Sequence, residues 1–143
     1  QIANFSTGDT NSWRFIVGLF ILVWSNDTFA YLTGRLLGKT KLFERISPKK
    51  TWEGTLGGLV FAVLAGLIYA FALEDDYLFW AISALIIAPC AVFGDLFESL
   101  LKRTVGVKDS GKLMPGHGGV LDRFDAVMYA APFFFVWIVN YYA

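Results

Sequence analysis

Four carboxylates recur at a spacing that suits divalent-cation chemistry. Asp95 and Glu98 lie three positions apart, and Asp122 and Asp125 repeat that interval further along. On helices each pair occupies one face, because i and i+3 are neighbours around a 3.6-residue turn. In the first pair the face continues through Ser99 and Lys102. Two helices that each present carboxylates at one membrane boundary can converge on a hard cation. Mg²⁺ suits such a site, since it takes oxygen ligands, keeps several waters and bridges protein carboxylates to substrate phosphates. Between the two pairs run Lys102, Arg103, Lys108 and Lys112, then Pro115-Gly116-His117-Gly118-Gly119. Lysine and arginine neutralise phosphate, and glycine lets a backbone approach an anion closely. The stretch Ser99–Asp125 therefore reads as a place where phosphates and metal meet.

Plainer readings exist for each residue. Asp122 and Asp125 would complement the positive end of a helix dipole. Asp95 and Glu98 argue against that account for the set, because they fall toward a helix carboxyl end, where the same field is unfavourable. A headgroup-contacting basic loop would explain the lysines, Lys112 above all. His117 gains weight from its place in a Gly-rich turn between basic and acidic clusters. The supply of one His and one Cys argues against zinc. Gly106–Leu113, GVKDSGKL, matches a phosphate-loop pattern up to Leu113, which stands where a Ser or Thr must hold Mg²⁺. No strand precedes it, and that reading is rejected.

These residues need a scaffold, and composition says which kind. Of 143 residues, 56% are hydrophobic, with 14 Phe, 5 Trp and a mean hydropathy of +0.54. The apolar residues come in long runs, which places the chain among integral membrane proteins. Net charge is zero, with 12 basic and 12 acidic residues segregated along the chain. Cys90 is single and lies in an apolar run, so it packs and no disulfide framework is possible. The chain starts at Gln1 without the pattern of a signal peptide, and reads as a cut through a longer protein.

An all-α, polytopic membrane protein with about four transmembrane helices is predicted, as one membrane domain over 1–143. The expected spans are Trp13–Leu32, Leu56–Leu73, Tyr77–Leu101 with a kink at Pro89, and Phe124–Tyr142. The last ends in an aromatic belt of Trp137, Tyr141 and Tyr142. Asp27 in the first span is expected near the interface or against a polar cavity. Pro48 is expected to open a helix through Lys49–Glu53. Gly57, Gly58, Ala62 and Gly66 suit close helix packing, within or between chains. Four spans put the connectors 34–54 and 102–121 on one side, opposite the acidic turn Glu74-Asp75-Asp76. The first carries six basic residues and the second four, so the positive-inside rule places both in the cytoplasm.

Three ordered motifs then carry a resemblance. Asp27-Thr28-Phe29-Ala30-Tyr31, Gly34-Arg35, Gly38 and Ser47-Pro48-Lys49-Lys50-Thr51-Trp52-Glu53-Gly54 form the first. Phe93-Gly94-Asp95-Leu96 with Glu98-Ser99 is the second. Lys102-Arg103, Lys108-Asp109, Gly111, Pro115, His117-Gly118-Gly119 and Asp122-Arg123-x-Asp125 form the third. Together they closely resemble the phosphatidate cytidylyltransferases, from about Trp13 onward, with Met114 a mild departure from a branched aliphatic. Members are generally longer at the amino terminus, so the chain resembles a carboxyl-terminal portion.

The resemblance implies Mg²⁺-dependent cytidylyl transfer from CTP to phosphatidic acid, giving CDP-diacylglycerol and pyrophosphate. It implies Asp95 and Asp122 as metal ligands, with Asp125 and Glu98 as further ligands or neighbours, and room for a second divalent or a monovalent ion. Asp95, Asp122, Lys108 and His117 would be the catalytic set. Ser47, Lys49, Lys50, Ser99, Lys102, Arg103, Asp109 and Arg123 would bind substrate. The implied partners are CTP, phosphatidic acid and the lipid bilayer, with no nucleic acid and with room for a homodimer. The implied location is a bacterial inner membrane, the site facing the cytoplasm. The residue chemistry fits on its own terms: an acceptor phosphate is already a nucleophile, so the reaction needs charge neutralisation and positioning.

Two rivals come from other classes. The CDP-alcohol phosphotransferases also cluster aspartates, but their motif ends G-x-x-x-D-x-x-x-D, whereas Gly118–Asp125 reads G-x-x-x-D-x-x-D without a preceding D-G-x-x-A-R. A transporter would use intramembrane acids as a cation path. Here they gather at one boundary, and no polar ladder crosses the second span.

Overall fold

The computed structural model describes residues 13–43, 47–104 and 121–142. They form four helices and a small hairpin: α1 (Trp13–Leu37), β1 (Lys41–Phe43), β2 (Ser47–Thr51), α2 (Trp52–Leu73), α3 (Tyr77–Thr104) and α4 (Leu121–Tyr142). Three of the helices, α1, α2 and α3 over Tyr77–Leu101, are long and apolar enough to cross a membrane. The described apolar part of α4, Ala126–Tyr142, is shorter. Pro89 lies inside α3 and Pro132 inside α4, and neither ends its helix. Such prolines are tolerated where neighbouring helices satisfy the freed backbone groups.

The hairpin departs from the expected helix at Pro48. Ser47–Thr51 is a strand, antiparallel to β1 with Lys41 opposite Thr51 and Phe43 opposite Ser47. The helix begins only after Thr51, whose backbone is extended at φ −126° and ψ 154°. Its hydroxyl accepts a hydrogen bond from the Gly54 amide at 3.1 Å. A threonine N-cap satisfies one of the four orphan amides of a helix start, and it outcompetes Pro48 as the starting point. The Glu53 carboxylate accepts from the Thr40 amide, and Trp52 N donates to Thr40 O at 3.0 Å, tying the hairpin base to α2.

Small residues let α1 and α2 approach closely. Gly54, Gly58, Ala62, Gly66 and Ala70 recur at four-residue steps and are all buried. A Cβ at Gly58 would lie 2.7 Å from the Asn26 carbonyl and 2.8 Å from the Ala30 Cβ. The stripe expected to serve packing within or between chains thus packs within the chain, Gly57 and Gly58 against α1 and Gly66 against both the Trp80 carbonyl of α3 and Leu22 of α1.

The α2–α3 reversal is the acidic turn. Glu74 adopts a left-handed conformation at φ 52°, closing α2, and Asp76 caps α3 by accepting from the Leu78 amide at 2.8 Å. Behind it Phe79 and Trp80 are fully buried. Trp137 and Tyr141 pack onto Phe79, with ring centroids 6.1 and 5.0 Å away, at the same end of the bundle as the acidic turn. Tyr142 remains exposed at the rim.

Candidate active site

At the end of the bundle opposite the acidic turn, the hairpin meets α3. Lys50, on β2, places its Nζ 2.5 Å from Oδ2 of Asp95 and donates to the Val92 carbonyl at 3.3 Å. Lys49, its neighbour, points to solvent, as alternation along a strand requires. Ser47, at the start of β2, is half-buried. The hairpin therefore divides the two lysines between α3 and water.

Helix α3 is continuous through Asp95, Glu98, Ser99 and Lys102, so these four share a face as expected. Asp95 and Ser99 are half-buried, and both carboxylate oxygens of Glu98 are shielded from solvent. The helix runs on to Thr104, which puts Asp95 more than two turns from its end. The helix field fades beyond the last turn, so the unfavourable dipole expected at Asp95 does not act there. What balances its charge is the Lys50 ammonium.

The register of α4 against α3 follows from Tyr129. Its ring centroid lies 5.4 Å from that of Phe97, and a Cβ at Gly94 would touch the Tyr129 Cβ at 2.6 Å. The two helices are antiparallel, so Asp125 lies about 6 Å and Asp122 about 10 Å beyond Tyr129, at 1.5 Å per residue. Asp125 thus stands at the height of Glu98 and Ser99, and Asp122 at that of Lys102. The carboxylate-bearing segments do share one end of the bundle. Register sets Glu98 level with Asp125, and Asp95 about two turns nearer the acidic-turn end than Asp122.

The side chains of Asp122, Arg123, Asp125, Lys102 and Arg103 lie outside the described set, although their backbones belong to α4 and α3. Lys108, Asp109, Lys112 and His117 lie outside the described residues altogether. Among the described residues no three His, Cys, Asp or Glu side chains gather into a metal site. What is described offers Asp95 and Glu98, oxygen donors that fit a hard cation. Asp95 already carries a cation in the form of the Lys50 ammonium, which shows that positive charge is accepted at that carboxylate.

Two features escaped sequence reading. One is the Lys50–Asp95 pair, since alternation in Lys49-Lys50 was hidden while the segment read as helix. The other is the Val92 carbonyl, a backbone acceptor that no residue type announces.

Comparison with known proteins follows the same path. A model of the cytidylyltransferase family matches residues 1–141. A phosphatidate cytidylyltransferase of Staphylococcus saprophyticus is 45% identical over 121 residues, covering 83% of this chain and 46% of that protein. One from Haemophilus influenzae is 48% identical over 122 residues, covering 81% of this chain and 42% of that protein. The chain thus spans less than half the length of these curated relatives. Among solved structures, an intramembrane enzyme for archaeal membrane lipid biosynthesis superposes with a TM-score of 0.58 at 24% identity, over 82% of this chain and 76% of that one. At that identity the likeness concerns the fold, and it agrees with an integral membrane protein.

Proposed function

The chain belongs to the cytidylyltransferase family, and from that premise we propose that it carries the site at which CTP and phosphatidic acid react to give CDP-diacylglycerol and pyrophosphate. The observation that carries the proposal is the meeting of a basic hairpin with the acidic face of α3 at one end of an apolar bundle, Lys50 against Asp95 at 2.5 Å. Relatives named phosphatidate cytidylyltransferase at 45% and 48% identity support it.

In this reaction a phosphate oxygen of phosphatidic acid attacks the α-phosphorus of CTP. The bond from that phosphorus to the bridging oxygen breaks, and pyrophosphate leaves with its charge. No side-chain nucleophile is required, so the residues act by neutralising and aligning two polyanions. Asp95 and Asp122 would hold Mg²⁺, with Glu98 and Asp125 as further oxygen donors, and one or two divalent ions or an added monovalent ion fit that donor set. When bound, Mg²⁺ supplies charge that neutralises phosphate oxygens. Lys102, Arg103, Lys108 and Arg123 are assigned to CTP or pyrophosphate oxygens, and Ser47, Lys49 and Lys50 to a substrate phosphate. Ser99 and Asp109 complete the binding set, and His117 belongs with Lys108 among the catalytic residues.

The basic bias of both connectors supports a cytoplasmic site in a bacterial inner membrane. Nucleotide then arrives from water while the acyl chains stay in lipid. A homodimer is compatible with the exposed apolar faces of α1 and α2, where Trp24 and Ile68 are 60% and 69% exposed.

The test is pyrophosphate release by purified protein in detergent. The proposal expects release that needs CTP, Mg²⁺ and phosphatidic acid together. Turnover of CDP-diacylglycerol with an alcohol acceptor, or ion flux without turnover, would replace it.

A further inference from the structure

Lys50 stands where two roles collide. Its ammonium rests on Oδ2 of Asp95 at 2.5 Å and on the Val92 carbonyl at 3.3 Å, so a cation borne by the hairpin sits on a carboxylate assigned to a divalent ion. The Lys50 side chain is 23% exposed and that of Asp95 44%, so solutes can reach the pair. An ion bound at roughly 2.0–2.1 Å from that carboxylate would lie close to the ammonium. Like charges so near one another repel, so each cation weakens the other's hold on Asp95. The two cations therefore compete for one carboxylate.

Lys50 is the one built to move. It sits on a flexible four-carbon stem, on a two-stranded hairpin of the kind that is marginal by itself. Asp95 sits inside the continuous helix α3, held at Gly94 and Phe97 against Tyr129. We infer that Lys50 is a cation-displaced latch: it clasps the hairpin to Asp95 until a divalent ion binds there, and binding releases its ammonium toward a substrate phosphate. The inference rests on the proposed function in taking Asp95 as a metal ligand. Lys50 acts as a positioning residue before the ion arrives and as a phosphate-binding residue after. Metal loading and substrate binding are thereby coupled through one side chain.

A purely structural ion pair and a latch differ in sign. Removing a structural partner loosens Asp95 and weakens metal binding, whereas removing a latch removes a competitor and strengthens it. Mn²⁺ binding to the purified chain in detergent, read from the electron paramagnetic resonance of free Mn²⁺ without CTP or lipid, tells them apart. Lys50→Met is expected to bind Mn²⁺ about tenfold more tightly than the parent, and Lys50→Arg to bind like the parent. Equal or weaker binding in Lys50→Met overturns the latch. Spin labels at exposed Phe43 and Leu100 give a second readout in protein that retains Lys50. Mg²⁺ should shift or broaden their separation, and Asp95→Asn should show that change without metal. An unmoved distribution on Mg²⁺ addition likewise overturns the latch. If both readouts behave as expected but CTP-dependent pyrophosphate release is absent, the latch stands and the proposed reaction falls. If release occurs and Lys50→Met binds Mn²⁺ like the parent, the reaction stands and the latch falls.

Discussion

The two ends of the helix bundle are joined by different chemistry. At the acidic-turn end, polar groups meet fixed partners on other helices or on the turn itself. The Tyr69 hydroxyl donates to the Arg14 carbonyl at 2.9 Å, Trp80 Nε1 to Asp75 at 3.2 Å, and the Tyr141 hydroxyl to Asp76. Phe15, Phe79, Trp80, Tyr141 and Tyr142 interlock around these bonds. At the hairpin end, α1 and α2 close over glycines, and the link from the hairpin to α3 is an ammonium on a half-exposed carboxylate. Bulky rings and neutral donors fill space once and hold it. A charge pair open to water can exchange one cation for another. The first end suits closure of the fold, and the second suits the ion binding proposed for it.

That contrast can be broken most severely at Asp95. Asp95→Asn should lower turnover by at least about a hundredfold, in line with loss of a preorganised charge in a reaction driven by electrostatics. The variant should still elute as a folded species from size exclusion in detergent. Near-parent turnover would remove Asp95 from the ligand set. Asp122→Asn should behave alike, and Lys108→Ala should reduce turnover far more than Lys112→Ala.

Next in size are changes to the close-packed seam. Gly58→Leu should destabilise by about 1–3 kcal/mol or more, because its Cβ meets the Asn26 backbone carbonyl, which cannot rotate away. A thermal melt in detergent checks this, and an unchanged midpoint would mean that α1 and α2 separate easily. At the aromatic end a smaller loss is expected. Trp137→Phe removes the donation from Trp137 Nε1 to the Ser83 hydroxyl at 3.1 Å, a bond between α4 and α3. Side-chain hydrogen bonds between membrane helices average about 0.6 kcal/mol, and the melt should shift accordingly while turnover persists.

The smallest effect is a pH dependence. The Tyr141 hydroxyl, with the Leu78 amide, holds the Asp76 carboxyl below its ordinary value of 3.8. A depressed carboxyl contributes stability above its unfolded pKa and loses it as pH falls through the folded one. Tyr141→Phe should therefore melt below the parent near neutral pH, and the gap should narrow as pH drops below about 4. A gap that widens in acid would show that Asp76 is not the partner that matters.

Much of this was legible because its causes are local. Runs of apolar residues long enough to cross lipid mark α1, α2 and α3, and Glu74-Asp75-Asp76 marks the reversal between α2 and α3. The shared face of Asp95, Glu98, Ser99 and Lys102 follows from helical period alone. Boundaries were less legible: α1 runs to Leu37, five positions past the expected end at Leu32, because nothing before Gly38 breaks it. The hairpin was missed since Pro48 is acceptable both at a helix start and in an outer strand. Thr51 decided the matter by capping α2.

By itself, then, the sequence determined an apolar helical scaffold, the clustering of basic residues between the apolar runs, and the residue types proposed to meet phosphate and cation. Each depends on composition or on periods of a few residues. Tertiary structure alone decided that Lys50 and not Lys49 reaches α3, that Gly54 and Gly58 of α2 face α1, and that Glu98 stands level with Asp125. These depend on strand alternation, on the closest approach of two backbones, and on a register set by Tyr129 against Gly94 and Phe97. Residues distant along the chain meet only when packing brings them together, and no local pattern encodes that meeting.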